Sequence, residues 1–291
     1  MTKKILLSSI LILCITACKG TSSPTEASTT TADTMQIAET DVMAGINLTV
    51  SESKRLIAKG FCNIPEVQER LKKGMIILTR GTTNTYIAEE LVGLKAPHGS
   101  FLTGHFVPQG TKALNKGVAP TEEIILIDGK QTNMKYTEAL KRLQEGDIVV
   151  KGGNLLNYHK KQAAVCIGAP DGGTTYRFLP YVGEGKAQLI IPIGLEKETS
   201  GDLSQYEQVL ALPHEKLTFL PKIHLFQTGR IFTEIEALKQ IANVKVLPFG
   251  VGGVAGREGG ISLAVIGTKG EVDKILQFIQ TIQGERRFEE D

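Results

Sequence analysis

This 291-residue sequence has no tryptophan and only 5% aromatic residues, which argues against an aromatic-lined sugar-binding cleft. Cysteine is scarce as well, with four residues in all, so the chain is not a disulfide scaffold. It contains no Cys-x-x-Cys and no His-Glu-x-x-His. Its five histidines, at 98, 105, 159, 214 and 224, lack metal-ligand spacing, so neither a metal nor another cofactor is expected. No Gly-x-Ser-x-Gly elbow announces a hydrolase serine. Lys and Arg number 33 against 31 Asp and Glu, without a basic block, which leaves no footprint for nucleic acid or for anionic lipid.

What is present begins at the N-terminus. Lys3 and Lys4 precede an apolar run, Ile5 to Ile15, that is too short to span a bilayer. Ile15-Thr16-Ala17-Cys18 then matches a lipobox, in which an aliphatic residue and two small ones precede the cysteine that is acylated. Residues 1–17 therefore read as a bacterial lipoprotein signal peptide, with Cys18 as the lipidation site. The expected location is the cell envelope, with the folded part outside the cytoplasm. Losing Lys3 and Lys4 with the leader makes basic and acidic residues equal. The acyl chains on Cys18 are then the expected membrane contact, and stable attachment requires more than one chain. Residues 18–45 hold this cysteine and a Ser/Thr-rich flexible tether. Cys62 and Cys166 remain, either free or joined in one disulfide, and the apolar surroundings of Cys166 suit a buried inert thiol.

From Ile46 the pattern is α/β. Thr49-x-x-Glu52 is a capping box, Pro65 opens a second helix, and Met75 to Thr79 reads as a strand buried on both faces. Strands near 123–127, 147–151, 163–167 and 188–193 alternate with helices near 84–92, 136–143, 174–182 and 202–211. This alternation predicts a largely parallel sheet with helices on both faces over 46–221. Residues 222–284 read as strand, helix (marked by Ile231, Ile235, Leu238 and Ile241), two strands and a final amphipathic helix. That order predicts a C-terminal ferredoxin-like α+β subdomain lacking its last strand or borrowing one. Gly250 to Gly256 has the wrong spacing and context for a dinucleotide fingerprint and reads as a mobile glycine hairpin, a possible flap. Residues 285–291 read as a frayed charged tail.

Three loops carry candidate chemistry, each after a strand. Arg80-Gly81-Thr82-Thr83 opens a helix, where unpaired N–H groups, hydroxyls and the Arg80 charge suit an anion; simple capping by Thr82, Thr83 or Asn84 is the equal alternative. Gly172-Gly173-Thr174 has the same form, and Lys151-Gly152-Gly153 offers a cation beside flexible backbone, with a plain turn carrying a solvated lysine as the equal alternative. Lys197 follows another strand, and His98 and His105 lie in a polar loop able to line a pocket.

The stretch Met75 to Leu91 resembles the first strand-loop-helix of the ribose phosphate isomerase and CoA-transferase superfamily, which includes sugar-phosphate sensors of DeoR-type repressors. The resemblance implies a phosphate loop at Gly81, Thr82 and Thr83, and it extends to Lys151, Gly152 and Gly153 and to the strand ending at Lys197. The body also resembles bacterial and archaeal proteins of unknown function. Tyr158-His159-Lys160-Lys161 stands where the isomerase has its catalytic glutamate, and its Asp-Gly-Ala-Asp motif is absent, so isomerase activity itself is not expected. The leading expectation is a membrane-anchored domain binding a small phosphate- or carboxylate-bearing ligand. One alternative is an isomerase- or acyl-transferase-type enzyme with Asp171, Glu196 or His159 as acid/base. The other is a structural or partner-binding lipoprotein.

Overall fold

Four short apolar runs lie side by side at the centre of the protein. In the computed structural model, which describes residues 35–107, 110–213 and 221–288, these are β2 (Met75–Leu78), β3 (Ile124–Ile127), β5 (Ile148–Val150) and β8 (Gln188–Pro192), and nearly all their side chains are buried. With β4 (Lys130–Thr132) and β10 (Arg230–Phe232) they form a six-stranded sheet ordered β10-β8-β5-β2-β3-β4. The first four strands of that order are parallel, and β3 and β4 run against their neighbours. The sheet is thus mixed, where the alternation predicted a largely parallel one. Asp128 (φ 49°) and Gly129 (φ 74°) supply the two left-handed residues of a tight hairpin, which returns β4 antiparallel to β3.

Helices cover this sheet. The Thr49–Glu52 capping box opens α1 (Val50–Cys62), which packs on α3 (Thr82–Val92) and α7 (Glu234–Ile241). Gly60 makes the α1–α7 approach possible, since a Cβ there would stand 2.6 Å from the Cα of Ala237. The other helices are α2 (Pro65–Lys72), α4 (Tyr136–Arg142), α5 (Gly173–Phe178), α6 (Leu203–Leu210) and α8 (Lys269–Gln280).

Two three-stranded antiparallel sheets complete the fold. One is β6 (Leu155–Asn157), β7 (Gln162–Ile167) and β9 (Lys222–Leu225), with β7 in the middle. The other places β12 (Ile261–Gly267) between β1 (Val42–Leu48) and β11 (Lys245–Val251). Residues Ile37–Asp291 form one compact unit, and the described core lies within it, so this unit carries its own hydrophobic interior.

Several expectations change. Ordered chain begins before Ile46, because β1 exposes Val42, Met43 and Gly45 along a sheet edge and so lacks the apolar pattern that marks a buried strand. The strands of 222–284 do not share one sheet: β9 joins β7, β10 joins β8, and β11 and β12 take β1 as third strand. Ile231 belongs to β10 instead of a helix, and Thr233 starts α7 with its own capping box to Glu236. The tail is docked as far as Phe288. Glu285 pairs with Arg55 at 2.9 Å, and the buried Phe288 ring stacks on His98 with centroids 4.5 Å apart. His98, expected in a polar loop, is buried with Nε2 2.7 Å from Glu89 and Nδ1 3.1 Å from the Phe288 carbonyl. The glycine hairpin is pinned by Arg257, which donates to Gly252 O, Asn47 Oδ1 and Ser262 Oγ. Cys62 and Cys166 are both free thiols. The leader, Cys18, the first part of the tether and His214 lie outside the described residues. Among the described residues no helix is long and apolar enough to cross a membrane.

Candidate functional site

The parallel strands β2, β5 and β8 point their carboxyl ends to one edge of the central sheet, the place where α/β sheets hold ligands. Beyond β5 the ladder continues one residue further, with Lys151 N–H donating to Ile190 O at 3.1 Å. Gly153 then passes under β8 and β7, where a Cβ would meet Ile193 Cδ1 at 2.8 Å and Ala164 O at 3.1 Å. Asn154 ties this loop to β7 twice: its N–H donates to Ala164 O, and its Oδ1 accepts the Cys166 N–H at 2.9 Å. Local sequence thus fixes the backbone on both sides of Lys151 while leaving its ammonium clear.

That ammonium faces a cavity of about 320 Å³ whose walls include His105, Phe106, Asn154, Cys166 and Gly172 to Thr175. Lys151 has no hydrogen-bond or ion-pair partner among the described residues. Burial, and then the positive charges of Lys197 and Arg80, lower its pKa to about 8, with Glu123 acting in the opposite direction. Lys197 donates to Gly153 O at 2.8 Å, so the second cation is held beside the loop. Cys166 presents a thiol that burial pushes up, which keeps it protonated. His105 Nε2 accepts the Leu114 N–H at 2.9 Å, so the ring hydrogen sits on Nδ1, which has no partner among the described residues.

The candidate loops meet only in part. Lys151, Gly172, Gly173 and Thr174 share this cavity. Arg80 lies across Thr174, in an adjoining cavity of about 670 Å³ with Tyr136 and Arg177. Glu123 joins the two sides, its Oε1 accepting from Arg80 Nε at 3.2 Å and from Thr174 Oγ1 at 3.3 Å. Gly81, Thr82 and Thr83 line neither cavity. The Gly81 N–H is taken by Phe101 O at 2.9 Å, and Thr83 is buried, so this loop is closed over by the 98–101 turn. Asn84 turns its amide back to Thr79 O, holding the start of α3 against β2.

The acid/base candidates are also dispersed. Asp171 is exposed and held by the Gly173 N–H and Arg177, and His159 is exposed on the turn between β6 and β7. Glu196 sits next to Lys197 and interacts with a carboxylate that sequence reading did not single out, Glu234. Glu234 is fully buried; burial first and Glu196 second raise its pKa, and its Oε2 accepts the Leu195 N–H at 3.0 Å. Glu234 Oε1 and Glu196 Oε2 are buried without partners among the described residues, and Glu234 keeps its proton at neutral pH. No group of three or more His, Cys, Asp or Glu among the described residues is arranged to hold a metal ion.

Glycine loops after strands pointed to Lys151 and to the 172–174 segment. The walls supplied by 103–106 and 165–169 carried no local signal, because only the tertiary fold brings them there. No family model, curated protein or solved structure matches this chain.

Proposed function

We propose that this chain is an envelope lipoprotein, held to the membrane through Cys18, whose α/β unit binds a small anionic ligand in the cavity headed by Lys151. The supporting observation is the Lys151 ammonium itself. Two neighbouring cations repel it and no described group satisfies it, and a phosphate or carboxylate would remove both penalties at once. Thr174, hydrogen-bonded to the same Glu123 carboxylate that Arg80 engages, extends the polar wall toward Arg80. In the smaller sheet, β1 and β11 run parallel on either side of β12. This supports a ferredoxin-like, split β-α-β reading in which the borrowed strand comes from the N-terminal end.

The test is a thermal-shift series on the Ile37–Asp291 unit with inorganic phosphate, sugar phosphates and short carboxylates. A ligand at a hundred times its dissociation constant adds about 2.7 kcal/mol. The gain should vanish in Lys151→Met and survive in Thr82→Ala with Thr83→Ala. A ligand whose effect follows the threonines, and not the lysine, would move the site to α3. For the anchor, Cys18→Ser should abolish acylation, read as the loss of incorporated fatty acid.

A further inference from the structure

We propose that Lys151 is a nucleophile that captures small anionic aldehydes and ketones as an imine, which gives the ligand of this cavity a chemical class. The inference rests on the anion-binding reading of the same site. Its starting point is that Lys151 is arranged unlike a lysine meant only to neutralise charge. A structural lysine in a protein interior is paired, yet this one faces open cavity with no acceptor among the described residues. The carboxylate whose field reaches it, Glu123, is already engaged by Arg80 and Thr174. Arg80 and Lys197 both oppose a third positive charge, so a part of the Lys151 amine is neutral near physiological pH.

The same two cations draw in a substrate that carries a phosphate or carboxylate, while the neutral amine requires an electrophile. A carbonyl compound bearing an anionic group satisfies both demands. The cavity, about 320 Å³, suits a small molecule. The thiol of Cys166 lines the same space but is held protonated by burial, so it does not compete for the carbonyl carbon. His105 lines the same space.

In the reaction the Lys151 nitrogen lone pair adds to the carbonyl carbon, and the C=O π electrons move to oxygen. The oxygen takes up a proton while nitrogen loses one, giving a carbinolamine. Expulsion of that hydroxyl as water leaves C=N. One amine and one carbonyl thus become one imine and one water, with no change in oxidation state and no co-reactant.

The experiment incubates the Ile37–Asp291 unit with glyoxylate, or with pyridoxal phosphate, and traps the imine with cyanoborohydride. Peptide mapping locates the adduct and separates it from the α-amino group. At pH 7 the initial rate at Lys151 should exceed that at any exposed lysine by roughly tenfold or more, because far more of its amine is neutral. Inorganic phosphate should slow labelling at Lys151 alone. Lys151→Arg and Lys151→Met, each checked for a cooperative melt, should lose that adduct and leave surface labelling unchanged. Adducts spread evenly over exposed lysines, with Lys151 unmodified, overturn the inference. If phosphate still stabilises the protein in a Lys151-dependent way, anion binding stands without the imine; if it does not, both fall.

Discussion

Replacing Lys151 by methionine should make the protein more stable. The side chains are similar in length, but methionine brings no charge into a space where Lys197 and Arg80 already oppose one. Lowering a lysine from 10.5 to about 8 corresponds to about 3 kcal/mol of folding free energy. Solvent entering the cavity screens part of this, leaving about 2 kcal/mol. For a unit of this size that is a rise of about 4–8 °C in Tm. The pH dependence gives the sharper check. Between about 8 and 10.5 the folded state binds fewer protons than the unfolded chain, so wild-type stability rises with pH across that window. Below about 8 the whole penalty is present, and above 10.5 it is gone. The advantage of Lys151→Met, followed by thermal or urea unfolding from pH 6 to 10.5, should therefore be largest at the acid end and close toward the alkaline end. A variant that is less stable than wild type at pH 7, or an advantage independent of pH, would refute the electrostatic account of the cavity. Stability gained by deleting a side chain is the mark of a residue kept for function.

Glu234→Gln should change stability with the opposite slope. Because its folded pKa is raised above 4.5, Glu234 contributes fully below that value and loses its contribution as pH rises through the folded value, so the glutamine variant should gain about 1–2 kcal/mol relative to wild type between pH 5 and 8; parallel pH–Tm curves would show that the acid is not held protonated. Phe288→Ala should cost about 3 kcal/mol in urea unfolding, since its buried ring packs on His98 and Tyr86. A loss under about 1 kcal/mol would return the tail to the solvated state that its composition suggested.

The parts of the fold that the sequence revealed are those set by local chemistry. Thr49 and Glu52 announce α1 whatever surrounds them, Asp128-Gly129 forces a hairpin, and runs such as Ile76-Ile77-Leu78 have no soluble alternative to burial. What stayed hidden depends on distant chain. Phe288 is a lone aromatic among charges, and only the groove beside His98 and Tyr86 makes it a core residue. Arg230–Phe232 is too short to show a period, and its strand character comes from β8 alongside. At the site, Lys151 was visible from its glycines. The sequence of 80–83 did not show whether its loop opens to solvent, since a capped helix start and an anion cradle use the same residues. Phe101 decides it by taking the Gly81 N–H.

The pairing of β1 with β12 also sets a timetable. Val42 aligns with Gly267 and Leu48 with Ile261, so a strand made among the first waits for one made among the last. Until β12 exists, Ile46 and Leu48 have no sheet to enter. The entropy of closing so long a loop grows only slowly with its length, but contacts between distant residues form late. The segment that follows β12 then closes over α1, with Gly284 N–H on Glu52 and Glu285 on Arg55, so the first strand of the unit and its last turn are fixed together and late.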